Sequence, residues 1–303
     1  MTARTQGYLF VCITMCIWGG FTILSRLNLH WHVSAWDLVA MRFAIAFIIL
    51  MPVLVYKKDL AFLWHPRPII LALTGGLAYC LTVYTAFLHA PAAHAAIFLN
   101  GCIPLCTAVA AYLLFKQPFD KHTWLSLIIM LSALALMSYL MLHEQASAFG
   151  LGDVLYFLSA VWWGIFTVLL KQWKLSAWHS MASVAIWSAL IYLPIYILFI
   201  PKHFQEAEPV HLLVQGVFHG VLVVIIATLT YVAAIERLGA FKTGSIVTLA
   251  PFIAAVIAVP LLNEPLSPAI MCGLVGMGIG ALQPWRWFRK DALTAQLSQQ
   301  KQD

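Results

Sequence analysis

WGGFTIL at residues 18–24 returns as WGIFTVL at 163–169, with Trp, Gly, Phe, Thr and Leu in the same places. Nothing between the two copies resembles either. What kind of helix holds each copy, and which way each one points, decides the architecture.

Of the 303 residues, 63% are hydrophobic and 9% charged, whereas an ordinary soluble domain carries about 25% charged residues. A soluble fold of this length could not hide so much apolar surface, because roughly half of its residues would still face water. The mean hydropathy of +0.91 agrees. The chain reads as an integral membrane protein. A helix needs about 20 apolar residues to cross roughly 30 Å of hydrocarbon. Ten runs qualify: 7–27, 34–56, 68–88, 94–115, 122–142, 151–171, 178–200, 211–235, 241–262 and 267–285. Their connectors are too short to hold a soluble domain. The first run is not read as a cleaved leader, since MTARTQGY carries one basic residue and no A-x-A site follows.

The formal charge of +6 is unevenly placed. With the N-terminus in the cytoplasm, all 17 Lys and Arg residues except Arg26, Arg42 and Lys202 fall on the cytoplasmic side, as the positive-inside rule requires. The basic excess therefore reports topology and argues against nucleic acid as a partner. The expected setting is the lipid bilayer of the cell inner (plasma) membrane, with both termini cytoplasmic. The six cysteines lie inside apolar runs with no CxxC pair, and read as small hydrophobes between helices. No cofactor is expected. No metal is expected either, since His30-x-His32 supplies two ligands at most.

WGGFTIL lies in the first run and WGIFTVL in the sixth. Five helices separate equivalent positions, and five is odd, so the copies enter the membrane from opposite sides. Other anchors keep the same order. SAW at 34–36 recurs at 176–178, Tyr84-Thr85-Ala86 aligns with Tyr231-Val232-Ala233, Pro104 with Pro251, and KQP at 116–118 with NEP at 263–265. The expected fold is all-α and membrane-embedded, with ten transmembrane helices as two inverted five-helix repeats. These cover residues 1–145 and 146–285, followed by a cytoplasmic polar tail, 286–303. Inverted repeats are the architecture of secondary transporters that alternate access around a midplane site.

The motifs resemble the EamA-type branch of the drug/metabolite transporter superfamily. They are W-G-x-F-T near the middle of the first and sixth runs, a Pro midway through the fourth and ninth, and NEPLS at 263–267. The resemblance covers about residues 7–285. It implies a ten-helix transporter, commonly an exporter of amino acids or other small metabolites. Gln117 in FKQPF stands where this family often has Glu, which gives Glu264 a helix-end structural role.

Thr14, Trp18 and Thr22 match Ser159, Trp163 and Thr167. Spacing of four puts each trio on one helix face. The two stripes either line a common cavity with indole and hydroxyl groups or serve as packing, since small hydroxyl residues also join membrane helices. The tryptophans favour a cavity, because Trp prefers membrane interfaces and these lie deep in their runs. Pro104 and Pro251 disturb the carbonyls of Asn100 and Val247, which suits a hinge or broken helix. Asn100 is the best single polar ligand, and Tyr84 and Tyr231 form a second aromatic pair. The candidate substrate-binding residues are thus Trp18, Thr22, Tyr84, Asn100, Trp163, Thr167 and Tyr231. Arg42, eight residues into its run, is a functional or paired charge, or one that snorkels outward. Asp37 and Asp153 complement helix dipoles. His94, beside His89 in the third connector, is a candidate coupling group, and His219 lies early in the eighth run.

No carboxylate lies deep in any run, which favours a neutral or zwitterionic substrate over a cationic drug. A membrane-embedded enzyme would need converging acids, bases or nucleophiles; no G-x-S-x-G, HExxH or P-loop occurs. The expectation is a non-enzymatic exporter or facilitator of small metabolites such as aromatic or hydrophobic amino acids, with lipophilic drugs as the alternative cargo. The G-x-x-x-G at 276–280 serves packing or dimerisation equally, so monomer and homodimer both remain open.

Overall fold

The computed structural model describes residues 2–28, 30–118, 121–144, 149–238 and 267–282, together with 243, 246–247, 250, 254, 257, 259–261 and 284–285. Most of the ninth run, including Pro251 and Glu264, and the tail 286–303 lie outside the described residues.

The described chain is helical. We number its long helices α1 (Ala3–Leu27), α2 (Ala35–Tyr56), α3 (Pro66–His89), α4 (Ile97–Phe115), α5 (Lys121–Glu144), α6 (Leu151–Trp173), α7 (Ala177–Phe199), α8 (Pro209–Ala234, continuing to Leu238) and α9 (Pro268–Leu282). Seven of these are long and apolar enough to cross a membrane; α5 and α9 contribute shorter apolar stretches, Lys121–Met137 and Pro268–Gly280. This is a multi-pass membrane protein. Large apolar side chains such as Ile48, Leu113, Ile128 and Leu198 cover its outside, where lipid rather than water is the solvent.

Local chemistry sets the helix starts. Both SAW motifs are N-caps: Ser34 Oγ accepts the Asp37 N–H at 3.0 Å, and Ser176 Oγ accepts the His179 N–H at 3.2 Å. Pro66, Pro209 and Pro268 occupy first-turn positions, where a missing N–H costs nothing. Gly150 N–H donates to Asp153 Oδ2 at 2.9 Å, closing the first turn of α6.

Contacts between helix ends define two faces of the bundle. On the first face, Arg26 at the end of α1 donates to the Phe87 carbonyl at 2.6 Å. There the start of α6 also packs on the α3–α4 turn, where a Cβ on Gly152 would meet Ala90 and the His89 backbone. On the second face the start of α1 meets the end of α8, with Gly7 against Arg237 and Leu238. So α1 and α6 run in opposite directions. The main helix pairs are α1 with α8, α3 with α6, α4 with α6, α2 with α7, and α5 with α9. The G-x-x-x-G of α9 packs on α5, with Gly276 against Ala133 and Gly280 against Met130.

Helices α2 and α7 hold each other reciprocally. On the first face Asp37 of α2 accepts the Tyr196 hydroxyl and, at 3.0 Å, the His203 backbone N–H that follows α7. On the second face His179 of α7 lies 3.1 Å from Asp59 Oδ2, just after α2, and Trp178 Nε1–H donates to the same oxygen at 3.2 Å.

Three stretches are wound as π-helix: Ala72–Ala78 in α3, Ala95–Gly101 leading into α4, and Phe218–Ile226 in α8. With Tyr84 aligned on Tyr231, the windows in α3 and α8 coincide. π-turns insert a residue into a helix and concentrate at functional sites.

The cysteines divide. Cys80, Cys102 and Cys106 are buried between helices as expected, while Cys12, Cys16 and Cys272 are exposed. A thiol is apolar enough for either place.

Candidate functional site

The duplicated motif sits where the halves touch. Its Gly faces the neighbouring helix in each copy. A Cβ on Gly164 would lie 2.8 Å from Thr107 N and 2.9 Å from the Cys106 carbonyl carbon, both in the α4 backbone. A Cβ on Gly19 would lie 3.7 Å from the Ala250 carbonyl oxygen.

Each motif tryptophan is half-buried and meets a tyrosine of the other half. The Trp18 and Tyr231 ring centroids are 5.2 Å apart, across α1 and α8. Those of Trp163 and Tyr79 are 4.8 Å apart, across α6 and α3, and Trp163 also meets Phe166 at 5.1 Å. Two expected partners, Trp18 and Tyr231, are therefore brought together. Tyr84, the repeat counterpart of Tyr231, is placed elsewhere, and Tyr79 takes the indole of Trp163. Ring pairs of this spacing contribute about 0.5–1.5 kcal/mol beyond area burial.

One turn before each indole a hydroxyl bridges the same helix pair. Thr14 Oγ1 is 2.8 Å from Thr230 Oγ1, and Ser159 Oγ donates to Thr82 Oγ1 at 2.8 Å. Both are part-buried interhelical bonds, so at this level the stripes act as packing. We expect Thr14→Val to lower stability by about 0.6 kcal/mol without changing transport; a double-mutant cycle with Thr230→Val checks it. Thr22 is buried, and Thr167 returns its hydroxyl to the Trp163 carbonyl at 2.8 Å.

Asn100 lies half-buried in the π-wound stretch before Pro104, its Nδ2 at 3.4 Å from the Ala95 carbonyl. The π winding ends at Gly101, immediately before the turn containing Pro104. The backbone is thus rewound where the proline removes a hydrogen bond.

Arg42 is 6% exposed. It does not snorkel. One terminal guanidinium nitrogen donates to Tyr84 Oη at 2.8 Å, and Tyr84 Oη lies 2.9 Å from His219 Nδ1. Phe21 of α1 closes over this chain, 5.8 Å from the Tyr84 ring and 5.5 Å from that of His219. Arg42 and Tyr84, separate candidates in the sequence, form one network, and His219 joins it.

His94 is buried. Its Nδ1–H donates to Asp153 Oδ1 at 2.7 Å, with the two side chains 1% and 2% exposed; a carboxylate only accepts, so the imidazole carries that proton. Tyr156, one turn along α6, donates to the Ala90 carbonyl at 3.2 Å. Asp153 thus both closes the first turn of α6 and accepts the His94 imidazole N–H. His89 is exposed.

Sequence reasoning missed Tyr79 and Gln215, and did not link His219 to Arg42. The available signal was spacing. Gln215 and His219 lie four apart in an apolar run, where polar residues are rare enough to mark a site; Gln215 Nε2 donates to the Leu24 carbonyl at 2.7 Å.

The model of the EamA-like transporter family matches residues 5–139 and 150–283. No curated protein matches the chain. A crystal structure of a protein, 19% identical, superposes with a TM-score of 0.62 over 95% of this chain and 99% of that one. That likeness concerns the fold alone.

Proposed function

The chain belongs to the EamA-like transporter family, and from that premise we propose that it exports or facilitates passage of small neutral or zwitterionic metabolites, aromatic or hydrophobic amino acids in particular. The family's members are transporters rather than enzymes. One observation carries the proposal: both motif indoles sit at contacts between the two matched halves, Trp18 on Tyr231 and Trp163 on Tyr79. Aromatic faces that straddle two rocking units are where an alternating-access carrier holds its cargo.

Two features support reading the halves as inverted repeats. Exchanging the first five helices with the second five turns the α1–α8 pair into the α6–α3 pair and maps α2–α7 onto itself. The π windows of α3 and α8 also correspond. In this reading Pro104 and Pro251 are hinges, Asn100 meets the substrate ammonium, and both termini are cytoplasmic in the inner membrane.

The test is counterflow in proteoliposomes preloaded with unlabelled amino acids, following labelled phenylalanine. We expect saturable counterflow, reduced at least tenfold in a Trp163→Ala, Asn100→Ala double variant, since losing a ring contact and a hydrogen bond removes about 2 kcal/mol. Equal transport by wild type and the double variant removes the indole site. No counterflow by folded protein removes the amino-acid cargo.

A further inference from the structure

We propose that Arg42 and His219 bind the carboxylate of a small zwitterionic substrate. The inference rests on the carrier reading above and deepens it by naming the group recognised and the residues that recognise it.

Counting protons along the network shows what is missing. Arg42 donates to the Tyr84 oxygen, so the single Tyr84 hydroxyl proton is free to go to His219 Nδ1. The tautomer that gives this proton a partner has Nδ1 as the acceptor and the imidazole proton on Nε2. Both His219 Nε2 and Arg42 Nε are buried without a partner. Two N–H donors, one on a fixed cation, are therefore left unpaired inside an apolar bundle.

A guanidinium in such surroundings needs an anion, because desolvating an unpaired charge is expensive. The protein supplies none among its described residues. Asp37 is held by Tyr196 and His203, Asp59 by His179 and Trp178, and Asp153 by His94 and Gly150. Glu206 and Glu208 are exposed in the connector before α8. The other six acids of the sequence, Asp120, Glu144, Glu236, Glu264, Asp291 and Asp303, fall in connectors, helix ends or the C-terminal tail.

Neighbouring turns of α8 and α1 also leave oxygens unpaired. Gln215 lies one turn before His219 on α8, and Ser25 and Asn28 continue the Phe21 face of α1. Gln215 Oε1, Asn28 Oδ1 and Ser25 Oγ are all buried without partners. The unpaired donors of Arg42 and His219 match a carboxylate. Phe21, three residues beyond Trp18 on α1, connects this head-group site to the indole wall. Carboxylate recognition by guanidinium is charge-assisted and directional, so it sets substrate class.

The test uses purified full-length protein in detergent, reading the thermal midpoint by tryptophan fluorescence while titrating L-phenylalanine, 3-phenylpropionate or phenethylamine. A ligand that binds only the folded state raises the midpoint. We expect both carboxylates to do so saturably, phenylalanine at the lower concentration, and phenethylamine not to. Arg42→Gln should weaken the phenylalanine response on the order of a hundredfold, with Arg42→Lys intermediate. Should Arg42→Gln not be recovered folded, His219→Phe, a ring of similar volume, should weaken the same response at least tenfold. A phenethylamine response equal to that of phenylalanine overturns the inference, as does an undiminished response in Arg42→Gln or His219→Phe. Absence of any shift also overturns it, while counterflow in liposomes would leave the carrier reading standing.

Discussion

Gly164→Ala should be far more damaging than Gly19→Ala, although both alter the same letter of the repeated motif. At Gly164 the added methyl would come within 2.9 Å of two α4 backbone atoms, and backbone cannot rotate away as a side chain can. Either α4 and α6 separate or the helices deform. Overpacking by one methylene costs about 1–3 kcal/mol in a well-packed core, and a collision with backbone belongs at the upper end. At Gly19 the nearest atom, 3.7 Å away, is in ordinary contact distance, so alanine there should be close to neutral, helped by its better helix propensity, worth up to about 1 kcal/mol. Thermal midpoints of the two purified variants decide it. Equal losses would mean that α4 gives way at Thr107 without penalty.

Removing His94 is the second large effect. His94→Ala strands the Asp153 carboxylate, 2% exposed, leaving it the Gly150 N–H on its other oxygen. Breaking one partner of a buried pair costs about 3–5 kcal/mol, mostly because the remaining charge is uncompensated. Asp153→Asn removes the charge and keeps one acceptor oxygen, with its NH2 facing the other donor, and should lose less than His94→Ala. The His94→Ala, Asp153→Ala double variant should be more stable than His94→Ala alone. A midpoint for the double variant below that of both single variants would show that His94 and Asp153 act independently. The pair also ties the turn before α4 to the start of α6 across the halves.

The helices were legible because lipid forces the pattern: backbone groups must pair internally, so each crossing needs one long apolar run. The run set at 68–88 begins at Pro66, and that set at 211–235 at Pro209. Both prolines are first-turn residues that a capping rule would have found. The repeated SAW reads directly as two N-caps. Partnerships between helices were less legible. That Trp163 would meet Tyr79 rather than Tyr84 depends on how α3 rotates against α6, and π winding at Ala72–Ala78 changes that rotation while leaving no mark in composition. Arg42 illustrates the same limit. Its depth in the second run was visible, but its partners come from α3 and α8, far away in sequence, and only folding brings Tyr84 and His219 to it.

The π windows of α3 and α8 carry a statement about history. A surplus residue that entered one half after the halves had separated would have no counterpart in the other. Ala72–Ala78 and Phe218–Ile226 fall on the same stretch when Tyr84 is set on Tyr231. If the halves descend from one duplicated gene, the insertion is older than the duplication, and the ancestral five-helix unit, assembling as an antiparallel pair of identical chains, already carried it in its third helix.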